Sequence, residues 1–99
     1  MPDVKDAIKV VTDPANLTSF GDSRRSVRHV NEDKAVAALR EMGADGRAEA
    51  RNLAVQAIGE LGGGVETRVD SAGKRGGGSR PRVIETWYVP ADAVHKTGG

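Results

Sequence analysis

The chain of 99 residues contains no cysteine, which removes disulfides, thiolate metal sites and thiol nucleophiles together. Aromatics are nearly as scarce. With one each of Phe20, Trp87 and Tyr88, the core has to be built from Val, Ile, Leu and Ala, and base stacking is a poor candidate for driving any binding. Long apolar runs are missing too. The start, "MPDVKDAIKVV", carries acids and only a brief apolar stretch, which fits neither a signal peptide nor a membrane span. A cytoplasmic protein without membrane partners is the expectation, with nucleoid association open to it. Nor is there an excess of one charge: 15 Lys and Arg against 14 Asp and Glu leave a formal +1. Any basic site must therefore be local rather than a property of the whole molecule.

Catalytic patterns are equally absent. The sequence has no paired carboxylates at a useful spacing, no Ser-His-Asp order and no phosphate loop; "GGGVE" and "RGGGSR" lack the strand-to-helix setting such a loop requires. His29 and His95 stand alone, without partners at metal-ligand spacing. No enzyme, cofactor or metal is expected. The length fits one domain over residues 1–99 with a modest core, and the tail from 91 to 99 is expected to be flexible.

What the sequence does contain is a basic, glycine-rich loop between two strand-like runs. "SAGKRGGGSRPR", Ser71 to Arg82, holds Lys74, Arg75, Arg80 and Arg82 with no carboxylate. "VETRVD" before it alternates Val65, Thr67 and Val69 against Glu66, Arg68 and Asp70, and "RVIETWYVP" after it is rich in β-branched and aromatic residues. The loop is predicted to be the tip of a long hairpin whose glycines let the cations conform to phosphates.

Upstream, "AIKVV", Ala7 to Val11, predicts a first strand closed by the turn residues Asp13 and Pro14. Leu17, Phe20, Val27 and Val30 recur at helical steps, and on that wheel Arg24, Arg25 and Arg28 fall within roughly 100° of one another as a basic stripe. "GRAEARNLAVQAIGELGGG" predicts the most secure helix, with Leu53, Ala54, Ala57, Ile58 and Leu61 as its apolar stripe, Asp45 as a candidate cap and the glycines as its stop. Arg47 at its start could help hold a phosphate, although Asp45 nearby opposes an anion. Between the two lies an ambiguous segment. Asn31, Glu32, Asp33 and Gly43 are helix punctuation, yet Lys34 to Met42 also suits a buried strand.

With that segment taken as a strand, the order is β-α-β-α-β-β. The stretches "IKVVTDPANL", "SVRHVNEDKAVAALREMGAD", "ARNLAVQAIGEL", "GVETRVD" and "RVIETWYVP" then resemble the Alba superfamily, and particularly the stage V sporulation protein S family. "GRA" at Gly46 to Ala48 is similar to the turn that opens the second helix of archaeal members. Thr12, Asp13 and Pro14 stand where archaeal members place lysines, which moves the likeness toward the sporulation branch. The resemblance implies an α+β, Alba-like two-layer sandwich that binds DNA or RNA as a homodimer, with little sequence preference. It would use the first helix at the centre and the basic hairpins as outer arms.

Two other readings use the same residues. In a winged helix-turn-helix, Glu32 to Met42 is a helix, "GADG" is the turn, the next helix reads duplex DNA and the hairpin is the wing. That helix would offer Arg47, Glu49, Arg51 and Asn52, a mixed-charge face. In a small assembly or adaptor protein, of a virion for example, the hairpin would dock on an acidic protein. The conformation of Lys34 to Met42 separates the first two: a strand keeps the Alba-like order and a helix removes it.

Overall fold

A computed structural model describes residues 1–70 and 82–94. Three helices cover one face of a four-stranded antiparallel sheet. The first helix, α1 (Val4–Val11), occupies the segment predicted to be a strand. Its β-branched residues favour a strand locally, but Asp3 and Asp6 form a reciprocal capping box, with bonds of 3.0 and 3.1 Å to each other's backbone N–H. Ala7, Val10 and Val11 fall on one buried side, and the Thr12 hydroxyl closes the end by donating to the Ile8 carbonyl at 2.7 Å.

The predicted helix over Leu17 to Val30 is instead a hairpin of β1 (Leu17–Asp22) and β2 (Val27–Val30). Asp22 decides this. Its carboxylate accepts from the Arg24 N–H at 3.1 Å and its carbonyl from the Arg25 N–H at 3.2 Å, while Ser26 takes a left-handed φ of 54°. The helical spacing of the apolar residues was a coincidence of pairing, since Leu17 and Val30 lie opposite each other in the ladder and both enter the core.

Glu32–Glu41 forms α2, so the local signals prevail over the strand assignment there. Asn31 caps it by accepting from the Lys34 N–H at 3.1 Å, and Ala35, Val36 and Leu39 are buried. Gly43, at a φ of 112°, turns the chain out of α2, and the Ala44 N–H reaches back to the Leu39 carbonyl at 3.0 Å. Then α3 (Arg47–Glu60) begins. Its cap is Gly46 rather than the expected Asp45, whose own N–H is taken by the Glu49 carboxylate at 3.3 Å.

The remaining strands are β3 (Gly64–Asp70) and β4 (Arg82–Pro90), paired in unbroken register from Gly64 opposite Tyr88 to Asp70 opposite Arg82. Across the sheet the order is β1-β2-β4-β3. The chain is therefore α+β as expected, but its order is α-β-β-α-α-β-β, and the Alba-like order β-α-β-α-β-β is not the order of this chain.

Small residues set the helix packing. Ala7 of α1 and Ala50, Ala54 and Ala57 of α3 have no exposed surface, so the two backbones approach closely. Beneath them Trp87, Val89, Leu39 and Ile58 fill the space against the sheet. Gly63 joins α3 to β3 where a Cβ would lie 2.2 Å from the Tyr88 carbonyl oxygen and 3.0 Å from Val89 Cα. Gly63→Ala is accordingly expected to destabilise the fold by roughly 1–3 kcal/mol. Gly59→Ala, where nothing lies within 4 Å, should instead raise stability by about 0.5–1 kcal/mol. Urea unfolding of the two variants checks the opposite signs.

Candidate nucleic-acid interface

The first two turns of α3 are tied to both neighbouring elements by arginines. Arg47 reaches Glu32 at 3.3 Å and Asp33 at 3.8 Å, both in the first turn of α2. One turn on, Arg51 bonds Glu32 through Nε at 3.3 Å and Glu85 of β4 through a second guanidinium nitrogen. Its guanidinium also lies 5.8 Å from the ring centre of Trp87, whose indole N–H donates to Glu85 Oε1 at 3.3 Å. The bond from Arg51, assisted by that from Trp87, holds the Glu85 carboxyl below its ordinary range. The same Glu85 bond raises Arg51 further above neutrality.

This network consumes charge that the sequence presented as free. Arg47 keeps a side chain 59% exposed, yet its guanidinium is shared between two carboxylates. Glu49 turns back to the Asp45 N–H, so it leaves the outer side of the helix. What faces outward is a row at four-residue spacing, Ala48, Asn52, Gln56 and Glu60, all exposed, with a charge only at its C-terminal member. On α2, Lys34 and Arg40 are exposed and have no acidic partner among the described residues.

Arg24, Arg25 and Arg28 do not form a helical stripe. Arg24 is exposed in the turn between β1 and β2. Arg25 folds onto the sheet face away from the helices, 4.8 Å from the Tyr88 ring centre and 2.7 Å from Glu66, and that bond raises its pKa. Arg28 lies within β2 with its stem against Gly21. This end of the sheet is the far end from Asp70 and Arg82. β2 begins opposite Pro90, whereas the tip follows Asp70 and precedes Arg82. At about 3.3 Å per residue, the length of β4 separates Pro90 from Arg82 by roughly 26 Å.

Arg82 is exposed at the start of β4. Lys74, Arg75 and Arg80 lie outside the described residues, as does His95. The end of the sheet from which that loop departs is the end reached by α3's first turns, because Arg51 contacts Glu85, three positions from Arg82. Arg47 and Arg82 are thus brought toward one end of the molecule, and the Arg24, Arg25 and Arg28 group toward the other. In the sequence Glu32 stands out only as helix punctuation, and Glu85 and Gln56 do not stand out at all. A visible signal existed in the four-residue spacing of Arg47 and Arg51 after a helix opening on two acids, but the partner on β4 required the fold.

Comparison of the chain with protein-family models, with curated proteins and with solved structures returns no match. Among the described residues there is no group of three His, Cys, Asp or Glu that could hold a metal ion, and no helix long and apolar enough to cross a membrane.

The depressed Glu85 carboxyl sets a pH dependence. A carboxylate whose folded pKa is lowered contributes stability above its unfolded pKa and loses it as the pH falls through the folded value. Glu85→Gln should therefore be less stable than the native chain by about 1 kcal/mol near neutrality. The difference should close as the pH drops below the ordinary glutamate value of 4.5, read by the fluorescence of Trp87 during denaturation.

Proposed function

We propose that the chain is a duplex-DNA-binding protein of winged helix-turn-helix type. In this reading α2, the Met42–Gly46 turn and α3 form the reading unit, and the β3–β4 hairpin is the wing. The observation that carries it is the outward row of α3. Over the first three turns of α3, ahead of Glu60, Ala48, Asn52 and Gln56 form a neutral stretch, two of the three side chains are carboxamides, and the flanking arginines are held aside by acids. Carboxamides pair with adenine edges in the major groove, and a small residue leaves room for close approach.

Supporting this, β2, β4 and β3 are neighbours in that order and α3 runs directly into the hairpin, which is the connection a wing requires. Lys34 and Arg40 on α2, Arg82 on β4 and, by sequence, Lys74, Arg75 and Arg80 supply phosphate contacts. The expected sequence-tolerant grip by an Alba-like dimer gives way to a helix in the major groove backed by phosphate contacts. Duplex RNA is disfavoured as the target, because its major groove is too deep and narrow for α3 to enter.

The reading is tested by fluorescence anisotropy on short duplexes selected from a random pool. Affinity should fall steeply with salt. Alanine at Lys74, Arg75 and Arg80 should weaken every sequence alike and lower the salt slope by about one per cation removed. Asn52→Ala and Gln56→Ala should each cost about 1–3 kcal/mol on the selected sequence and little on unrelated duplexes. Failure to bind any duplex at low ionic strength would refute the proposal, and helix variants that alter no sequence preference would remove α3 as the reader.

A further inference from the structure

The sheet ends differently at its two edges. β1 is blunted by a register irregularity between Leu17 and Gly21. β3, the opposite edge, is regular over all seven of its residues and contains neither proline nor bulge. Its outer backbone groups meet no partner strand among the described residues. A long regular edge is a template for another strand, and natural proteins either protect such edges or use them.

The side chains of β3 specify which strand. Thr67 is the midpoint of Gly64–Asp70. In antiparallel pairing of two copies about Thr67, Glu66 of one lies opposite Arg68 of the other, twice, and Val65 lies opposite Val69, twice. Glu66 and Arg68 share the face away from the helices, and Val65 and Val69 share the helix-side face. A slip of two residues destroys the match, placing Glu66 against Glu66 or Arg68 against Arg68, and a slip of one sets opposite faces against each other. Only the register that pairs the whole strand also sets Glu66 against Arg68 at both symmetric positions, with Asp70 opposite Gly64 at each end.

Both charges are available for it. Arg68 is exposed and has no partner among the described residues, and Glu66 gives Oε2 to Arg25 while leaving Oε1 open. Val69, 62% exposed, is among the most exposed large apolar side chains of the described residues, and the pairing would set it beside the half-buried Val65 of the other copy.

From this self-complementarity we propose that β3 is the seam of a homodimer, two copies joining edge to edge in one continuous eight-stranded sheet. The two-fold axis stands perpendicular to the sheet, so both helical layers lie on the same side. One strand on each side is a small contact, so the dimer is weak and depends on concentration.

The test is sedimentation equilibrium of the full chain without nucleic acid, from low micromolar concentration to the solubility limit. It is therefore independent of the DNA reading. The native chain should show a monomer–dimer equilibrium. Glu66→Arg and Arg68→Glu each place like charges opposite one another at two symmetric positions and should weaken it by about tenfold or more. The exchanged pair, Glu66→Arg with Arg68→Glu, rebuilds the match with reversed polarity and should return within about threefold of native. Circular dichroism guards against misfolding of Glu66→Arg, which loses Arg25, whereas Arg68→Glu disturbs no described partner. A chain that stays monomeric throughout, single variants that dimerise as the native chain does, or a folded exchange variant that stays dissociated would each overturn the proposal.

Discussion

Trp87 is the side chain on which helices and sheet converge, and the rest of the architecture follows from how it is accommodated. It is the largest fully buried residue, on the strand that lies between β2 and β3, in a chain with almost no other rings to fill a core. Truncating a buried tryptophan removes about 3–5 kcal/mol, a large part of the stability of a domain this small. Burial of the indole creates an obligation, since its N–H must have an acceptor. Glu85, two residues earlier on the same face of β4, provides it. A half-buried carboxylate in turn needs a cation, and Arg51 of α3 provides that, while Glu32 of α2 holds the same arginine from the other side. Each group answers a need raised by the one before it, so α2, α3 and β4 are fixed to one another at the margin of the core.

The sequence is legible where the governing forces are local. Asn31, Glu32 and Asp33 announce the start of α2, and the Ala-rich stripe of α3 is visible from Leu53 to Leu61. Both strands of the long hairpin are legible from their β-branched content. The errors come where a local preference competed with a distant partner. Val10 and Val11 favour a strand in isolation, but a two-aspartate capping box and burial against α3 hold them helical. Leu17 to Val30 has helical spacing because a two-sided hairpin happened to place Leu17 opposite Val30, and a single Asx turn at Asp22 converts one pattern into the other. The Alba-like order rested on those two segments and on a strand at Lys34 to Met42, so it failed as a unit.

The site divides the same way. That the chain carries a local basic feature was legible, because a loop without acids is a property of composition. That Arg25, Arg47 and Arg51 are neutralised was not, because Glu66, Glu32 and Glu85 lie 41, 15 and 34 residues from the arginines they bind. An arginine in a sequence counts as one positive charge, whereas in a fold its field depends on the carboxylates that chain topology sets beside it. The near-balance of 15 cations and 14 anions is spent partly on such internal pairs.

This redistribution bears on how the proposed reader would work. If every arginine near α3 were free, the helix would bind any duplex through its phosphates, and base identity would add little to a large nonspecific attraction. Holding Arg47 and Arg51 against carboxylates lowers that attraction at the very helix whose outer row carries Asn52 and Gln56. The same carboxylates repel phosphates that come too near in a wrong register. In that reading affinity would come from Lys34, Arg40 and the hairpin, at a distance from the bases, while discrimination would fall to neutral amides whose hydrogen bonds form only on a matching edge. In the proposed reader, separating the two duties in space would let a protein with a net charge of only +1 prefer one sequence without clinging to all of them.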